Sequence, residues 1–174
     1  MTCSLYDATI PSFKQSLHVV SGLLTKAEEF CTSKGFAPET ILQARLADDM
    51  WPFAAQVFAT VTNSWGHIEK ALATGVSSPN PAPPPADFAG LKSCVTKALA
   101  GLDAVTPAQI NALVGTNIRF VLRDHHVDFI GEDFFFSFAL PNFYFHTATA
   151  YDILRWRGVP LAKRDYLGTM RMKH

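Results

Sequence analysis

Asp49, Asn142 and His146 are the residues of this sequence whose types could combine into acid–base or metal chemistry. A buried carboxylate against an imidazole fixes the ring's tautomer, raises its basicity and supports proton transfer near neutral pH. The same Asp49–His146 pair would supply two ligands to a divalent metal such as zinc or nickel. A catalytic zinc site ordinarily takes three protein ligands and a water. Spacing offers no third one, because neither His-x-x-x-His nor His-Glu-x-x-His occurs. His18 and His67 have no spacing link to His146, and His174 is terminal. His125 and His126 are adjacent, so in a strand they point to opposite faces and read best as hairpin-turn residues. There is no glycine-rich phosphate loop, nucleophile elbow or close Cys–His pair.

The elements that must hold these residues are helices. Across the second long helix, Asp49, Gln56, Thr60, Asn63 and His67 fall within roughly 40° of one line at ~100° per residue. Trp51, Ala55, Phe58, Thr62, Trp65 and Leu72 fall on the other side, so the helix is two-faced. One reading buries the aromatic face and leaves the polar stripe, Thr60 to His67, in water. The other places Asp49 and Gln56 at a pocket inside the fold, with Trp51, Phe58 and Trp65 against another helix or subunit. On the last helix, His146 shares a mostly small or apolar face with Phe135, Ala139, Asn142, Ala150 and Ile153. That face points inward, which makes His146 either a satisfied core residue or a ligand. Asn142 lies one turn away and can hydrogen-bond His146 or a bound molecule. Arg45 with Asp48 reads as a surface ion pair or as the rim of the pocket. Tyr151 shares a face with Tyr144, Ser137 and Arg155, a packed or interfacial surface that also makes it a candidate ligand contact.

The boundaries follow from caps and breakers. Pro11 suits the first turn of the first clear helix, and Gly35 suits its left-handed end. Pro38 and Glu39 restart helical structure. Pro52 predicts a kink or a fresh start near Asp48, in a helix running to about Ala73 and stopping at Gly75. Residues 77–85, Ser-Ser-Pro-Asn-Pro-Ala-Pro-Pro-Pro, read as a surface loop, since that composition suits neither helix nor central strand. A third long helix follows from Asp87 to about Leu102, and Thr106-Pro107 caps a short extra one. Alternation in Asn117 to Ile130 predicts a β-hairpin. A long aromatic helix then runs from about Glu132 to Arg157, bent at Pro141 and ended by Gly158-Val-Pro. The basic tail reads as an irregular strap. Cys31 and Cys94 fall in helical apolar patterns and read as core. The expected fold is all-α: a four-helix bundle in one domain, 1–174, with a small hairpin between the third and fourth long helices.

Composition narrows the function classes. The 174 residues suit one domain; 48% are hydrophobic, with 14 Phe, and only 17% are charged. So greasy a surface suits self-association, and a homodimer is expected. Lys plus Arg equals Asp plus Glu at 15 each, which gives no basic footprint for nucleic acid or an anionic membrane. The start lacks a signal-peptide pattern, no apolar run is long enough to span a bilayer, and three scattered cysteines form no framework. A reducing, cytoplasmic setting is expected.

Several blocks resemble one family. Ser4-Leu-Tyr-Asp with Pro11-Ser-Phe, Ala44-Arg-Leu-Ala-Asp-Asp-Met, Gly131-Glu-Asp, Leu140-Pro-Asn-Phe-Tyr-Phe-His with Thr149-Ala-Tyr, and Gly158-Val-Pro-Leu with Lys163-Arg-Asp-Tyr-Leu-Gly look like the signature blocks of the DUF1993 domain family. That family is similar to the DinB/YfiT-like group of metalloenzymes. The resemblance implies a four-helix bundle, often dimeric, with a pocket between helices. In better understood relatives a three-histidine site binds a divalent metal, with one His on the second helix and two, four residues apart, on the last. Some of those relatives transfer or isomerise small thiol adducts. Here Asn142 stands one turn before His146 and Ala150 one turn after, so the triad is not present as such.

Two readings result. One is an enzyme, or a degenerate enzyme, acting on a small organic molecule at Asp49, Asn142 and His146, with or without metal. The other is a non-catalytic protein that binds an apolar metabolite or pairs with itself.

Overall fold

The computed structural model describes residues 3–173; His174 lies outside them. Ser4 caps the first helix, α1 (Leu5–Lys34), by accepting from the Asp7 N–H while the Asp7 carboxylate accepts from the Ser4 N–H. This capping box starts the helix before Pro11, which therefore lies inside it rather than opening it. Gly35 ends α1 at φ 66°, as its composition predicts. A single turn, α2 (Glu39–Leu42), follows. The chain then turns through residues 43–52, and Pro52, with extended backbone, opens α3 (Phe53–Val61). A π-helical segment, Thr62–Gly66, joins α3 to α4 (His67–Thr74) as one continuous rod that ends at Gly75.

The third rod is α5 (Phe88–Ala104), capped by Asp87, and α6 (Pro107–Asn111) is capped by a Thr106–Gln109 box. The last rod comprises α7 (Gly131–Asp133), a second π-helical segment (Phe134–Ala139) and α8 (Leu140–Trp156). The tail is not wholly irregular: it holds α9 (Lys163–Leu167), tied to α1 by Lys26–Asp165 at 2.7 Å.

Both π segments have a chemical cause. Thr60, Thr62, Asn63 and Ser64 all donate side-chain hydrogen bonds to carbonyls three or four residues back. These bonds compete with the helical ladder and loosen its turn. In the last rod Ser137 does the same to the Asp133 carbonyl, and Pro141 has no N–H to give to the turn before it. Trp65, in the first segment, lies over Gly101 of α5, where any Cβ would collide with its ring.

The fold is not all-α. The expected hairpin, β2 (Asn117–Leu122) and β3 (His125–Ile130), belongs to a three-stranded mixed sheet of order β1-β2-β3. The two-residue β1 (Val76–Ser77) pairs parallel to β2, Ser77 opposite Phe120. The turn is Arg123–Asp124, with Arg123 at φ 55°, so His125 and His126 open β3 instead of forming the turn. The core lies between the long rods, where Phe13, Phe53, Phe134, Phe135 and Phe143 are fully buried. Burying aromatics of this size is the main force holding the rods together. Cys31 joins that core, whereas Cys94 is only partly buried.

Candidate functional site

The polar stripe of the second rod faces inward. Gln56, Thr60, Asn63 and His67 are buried, while Trp51 is 57% exposed. The aromatic side packs only in part, through half-buried Phe58 and Trp65. The interior position of the stripe is possible because each polar group in it has a partner.

His146 of α8 is the centre of the site. Its Nδ1 lies 2.7 Å from Gln56 Oε1, across the α3–α8 contact. Gln56 donates its own amide N–H to the Trp51 carbonyl, at 3.1 Å. The Gln56 oxygen is therefore the acceptor, and His146 Nδ1 carries the proton. A neutral ring so held presents Nε2 as a bare lone pair. Nε2 has no hydrogen-bond partner among the described residues, whereas no fully enclosed side-chain nitrogen or oxygen among them lacks one. Nε2 thus opens to the space beside it. Trp51 stacks on the ring, with centroids 5.5 Å apart and planes 7° from parallel. Burial pushes the imidazole down to about 4, so it is neutral at neutral pH.

That space is a cleft of about 590 Å³ between α3, the first π segment, α8, β2 and the proline loop. Its walls include Trp51, Phe58, Phe120, Phe138 and Leu122, with Pro79 and Pro84 of the loop. Asn142 also lines it. The Asn142 amide N–H is tied to the Phe138 carbonyl at 2.8 Å, which leaves its oxygen without a protein partner among the described residues.

A second histidine closes the far end. His67, 2% exposed, meets Asn63 Oδ1 through Nε2 at 3.2 Å and Ser77 Oγ through Nδ1 at 2.8 Å. Asn63 gives its N–H to the Ala59 carbonyl, so its oxygen accepts and His67 Nε2 donates. Ser77 then donates to Nδ1. Both nitrogens are spent, and burial together with the Lys70 charge pushes this imidazole to about 4 as well. The network ties the proline loop to the helix. Lys70 reinforces it by donating to the Ser78 carbonyl and hydroxyl at 2.8 and 2.9 Å.

Of the residues proposed from sequence, the structure brings together His146, Gln56 and Asn142 and leaves the others apart. Asp49 is exposed on the turn before Pro52, outside the helix and the cleft walls. The helical projection that aligned it with Gln56 fails because the chain is not helical across Pro52. Arg45 donates to the Asp48 carbonyl at 3.3 Å and does not line the cleft. Tyr151 packs edge-on against Tyr166, also away from it. His67, Asn63, Trp51 and the loop were missed. One signal was available: Asn63-x-x-x-His67 repeats the spacing of Asn142-x-x-x-His146, on the facing rod.

The donor set does not fit a resident metal. Of α8, only His146 Nε2 and Asn142 Oδ1 offer free lone pairs to the cleft, His67 is fully engaged, and no carboxylate among the described residues lines it. Among the described residues no three His, Cys, Asp or Glu side chains gather where they could hold an ion.

The same architecture recurs in a known structure. A DinB family member protein from Shewanella denitrificans superposes with a TM-score of 0.77 at 28% identity, over 98% of this chain and 95% of that one. No curated protein matches the chain. A family match runs from residue 5 to residue 167 and so takes in every rod, the sheet and the whole cleft wall; the chain belongs to the family described as Domain of unknown function (DUF1993).

Proposed function

We propose that this single-domain, DinB-like four-helix bundle binds a small organic molecule in the cleft, where His146 Nε2 accepts a hydrogen bond from it and Asn142 lies alongside. One observation carries the reading: a neutral histidine, its tautomer set by Gln56, has a bare lone pair beside a mostly apolar, uncharged cavity. The cavity volume is in the range of small-molecule sites, which are mostly apolar with a few placed polar groups.

Binding is favoured over catalysis by the strength of the base. A general base works best with a pKa near the working pH. An imidazole at about 4, with an amide rather than a carboxylate behind it, is a good acceptor and a weak base. The homodimer expected from composition belongs to the same proposal, supported by Phe145 and Trp156, each more than half exposed on α8.

The test uses N-phenyl-1-naphthylamine, a neutral probe that brightens in apolar sites. The wild-type chain is expected to enhance its fluorescence saturably. Ala55→Trp, which fills the cleft from the α3 side, is expected to abolish that enhancement while the far-ultraviolet dichroism stays unchanged. Equal enhancement by the folded variant would place the probe elsewhere and end the proposal.

A further inference from the structure

The cleft's polar groups are lone pairs and neutral amide or indole N–H groups, and none is charged. Every lining residue is apolar, Thr, Asn or His, with no Lys, Arg, Asp or Glu among them. Both histidines are neutral by burial. Thr62 has given its hydroxyl proton to the Phe58 carbonyl, so it too offers only lone pairs. The Asn142 and Asn63 amides each have one N–H tied to a backbone carbonyl, and their second N–H groups, with those of Asn80, are neutral donors. The ring N–H groups of His67 and His146 are spent on Asn63 and Gln56, which leaves the Trp51 indole N–H as a neutral ring donor. An anionic ligand would lose its water and find no cation in return, which is a large cost in so apolar a site. A cationic ligand would meet no carboxylate and pay the same desolvation. An uncharged hydroxyl on an aromatic body meets what the site provides. Its O–H would donate to His146 Nε2, and its ring would lie among Trp51, Phe120 and Phe138. Phe120 and Phe138 are already in contact, with centroids 4.5 Å apart. Aromatic side chains interact favourably with a further ring edge-on or offset.

We infer that the cleft selects uncharged aromatic hydroxyl compounds and rejects their anionic counterparts. The inference rests on the cleft being a ligand site and deepens that reading by naming the ligand class.

Three naphthalenes of nearly one shape test it by calorimetry on the full chain at pH 7: 2-naphthol, 2-methoxynaphthalene and 2-naphthoate. The naphthol is expected to bind at least about tenfold more tightly than either of the others, the size of one net hydrogen bond. In His146→Ala its advantage over the methoxy compound should vanish while residual apolar binding remains. A variant on the exposed loop, Asn80→Lys, supplies the missing cation without touching the core and should raise naphthoate affinity. Naphthoate binding as tightly as naphthol to the wild-type chain overturns the inference, as does equal binding of naphthol and its methyl ether. If those outcomes occur with clear binding, the cleft remains a ligand site and only the ligand class is wrong. If none of the three binds, the site reading and the inference fall together.

Discussion

At the scale of single residues, the site turns on which neighbour stands behind His146. The sequence suggested Asp49, a charge that would raise the ring's basicity. The structure supplies Gln56, a neutral amide that sets the tautomer and leaves the basicity low. The difference can be measured by replacing the amide with the acid. In Gln56→Glu a carboxylate sits against Nδ1–H, and an opposite charge at this range favours the protonated ring by roughly 1–3 pH units. Side-chain nitrogen–proton correlation spectra should show the His146 pKa rising from about 4 toward neutrality. The wild-type spectrum should show Nδ1–H on His146 and Nε2–H on His67, opposite tautomers in one protein. An unchanged His146 titration in Gln56→Glu would mean that the two side chains are not partners in solution.

At the scale of elements, local signals were legible and distant pairings were not. The caps at Gly35 and Thr106 read directly from sequence because each is complete within a few residues, whereas Asp87, read as the first residue of the third long helix, proves to be its cap. The stop at Gly75 was legible for the same reason. Strand β1 was not, since two residues carry no period and its partner β2 comes after another long helix. The inward polar stripe was also hidden. Burial of Asn63 and His67 depends on Ser77, which arrives from β1, and on carbonyls exposed by the π segment. Ser77 is therefore the joint between sheet, loop and helix. Ser77→Ala leaves His67 Nδ1 enclosed without a donor, at a cost of about 1–3 kcal/mol. Urea unfolding should register that loss, and hydrogen exchange should show residues 78–87 opening more often than the rods. Unchanged stability and protection in Ser77→Ala would show that the loop is held by Lys70 and packing instead.

At the scale of the whole molecule, two enclosed neutral histidines couple folding to pH. Both His67 and His146 lie at about 4 when folded, below the ordinary value of 6.5 that they regain on unfolding. Between those values the unfolded chain binds more protons than the folded one, so stability must rise with pH. The contribution is fully present above about 6.5 and is lost as pH falls toward 4, at most about 3 kcal/mol for each ring. His146 contributes less than His67, because its Nε2 side is open to the cleft. Asp165, held low first by the Lys26 ammonium and then by the Ala162 N–H, acts in more acid solution, as its carboxylate protonates below its ordinary 3.8. Glu132, held below its ordinary 4.5 by the Gly115 N–H, likewise acts only in more acid solution, so the interval from 6.5 to 5 belongs to the histidines. Urea midpoints taken at pH 7.5, 6.5 and 5 should fall in that order, with the steeper loss below 6.5. His146→Gln keeps a polar side chain against Gln56 and removes one titrating ring, so its stability should fall less over the same interval. A wild-type midpoint that stays flat from pH 6.5 to 5 would mean that neither ring is as enclosed as the fold requires, and the lone pair facing the cleft would lose its fixed, neutral character with it.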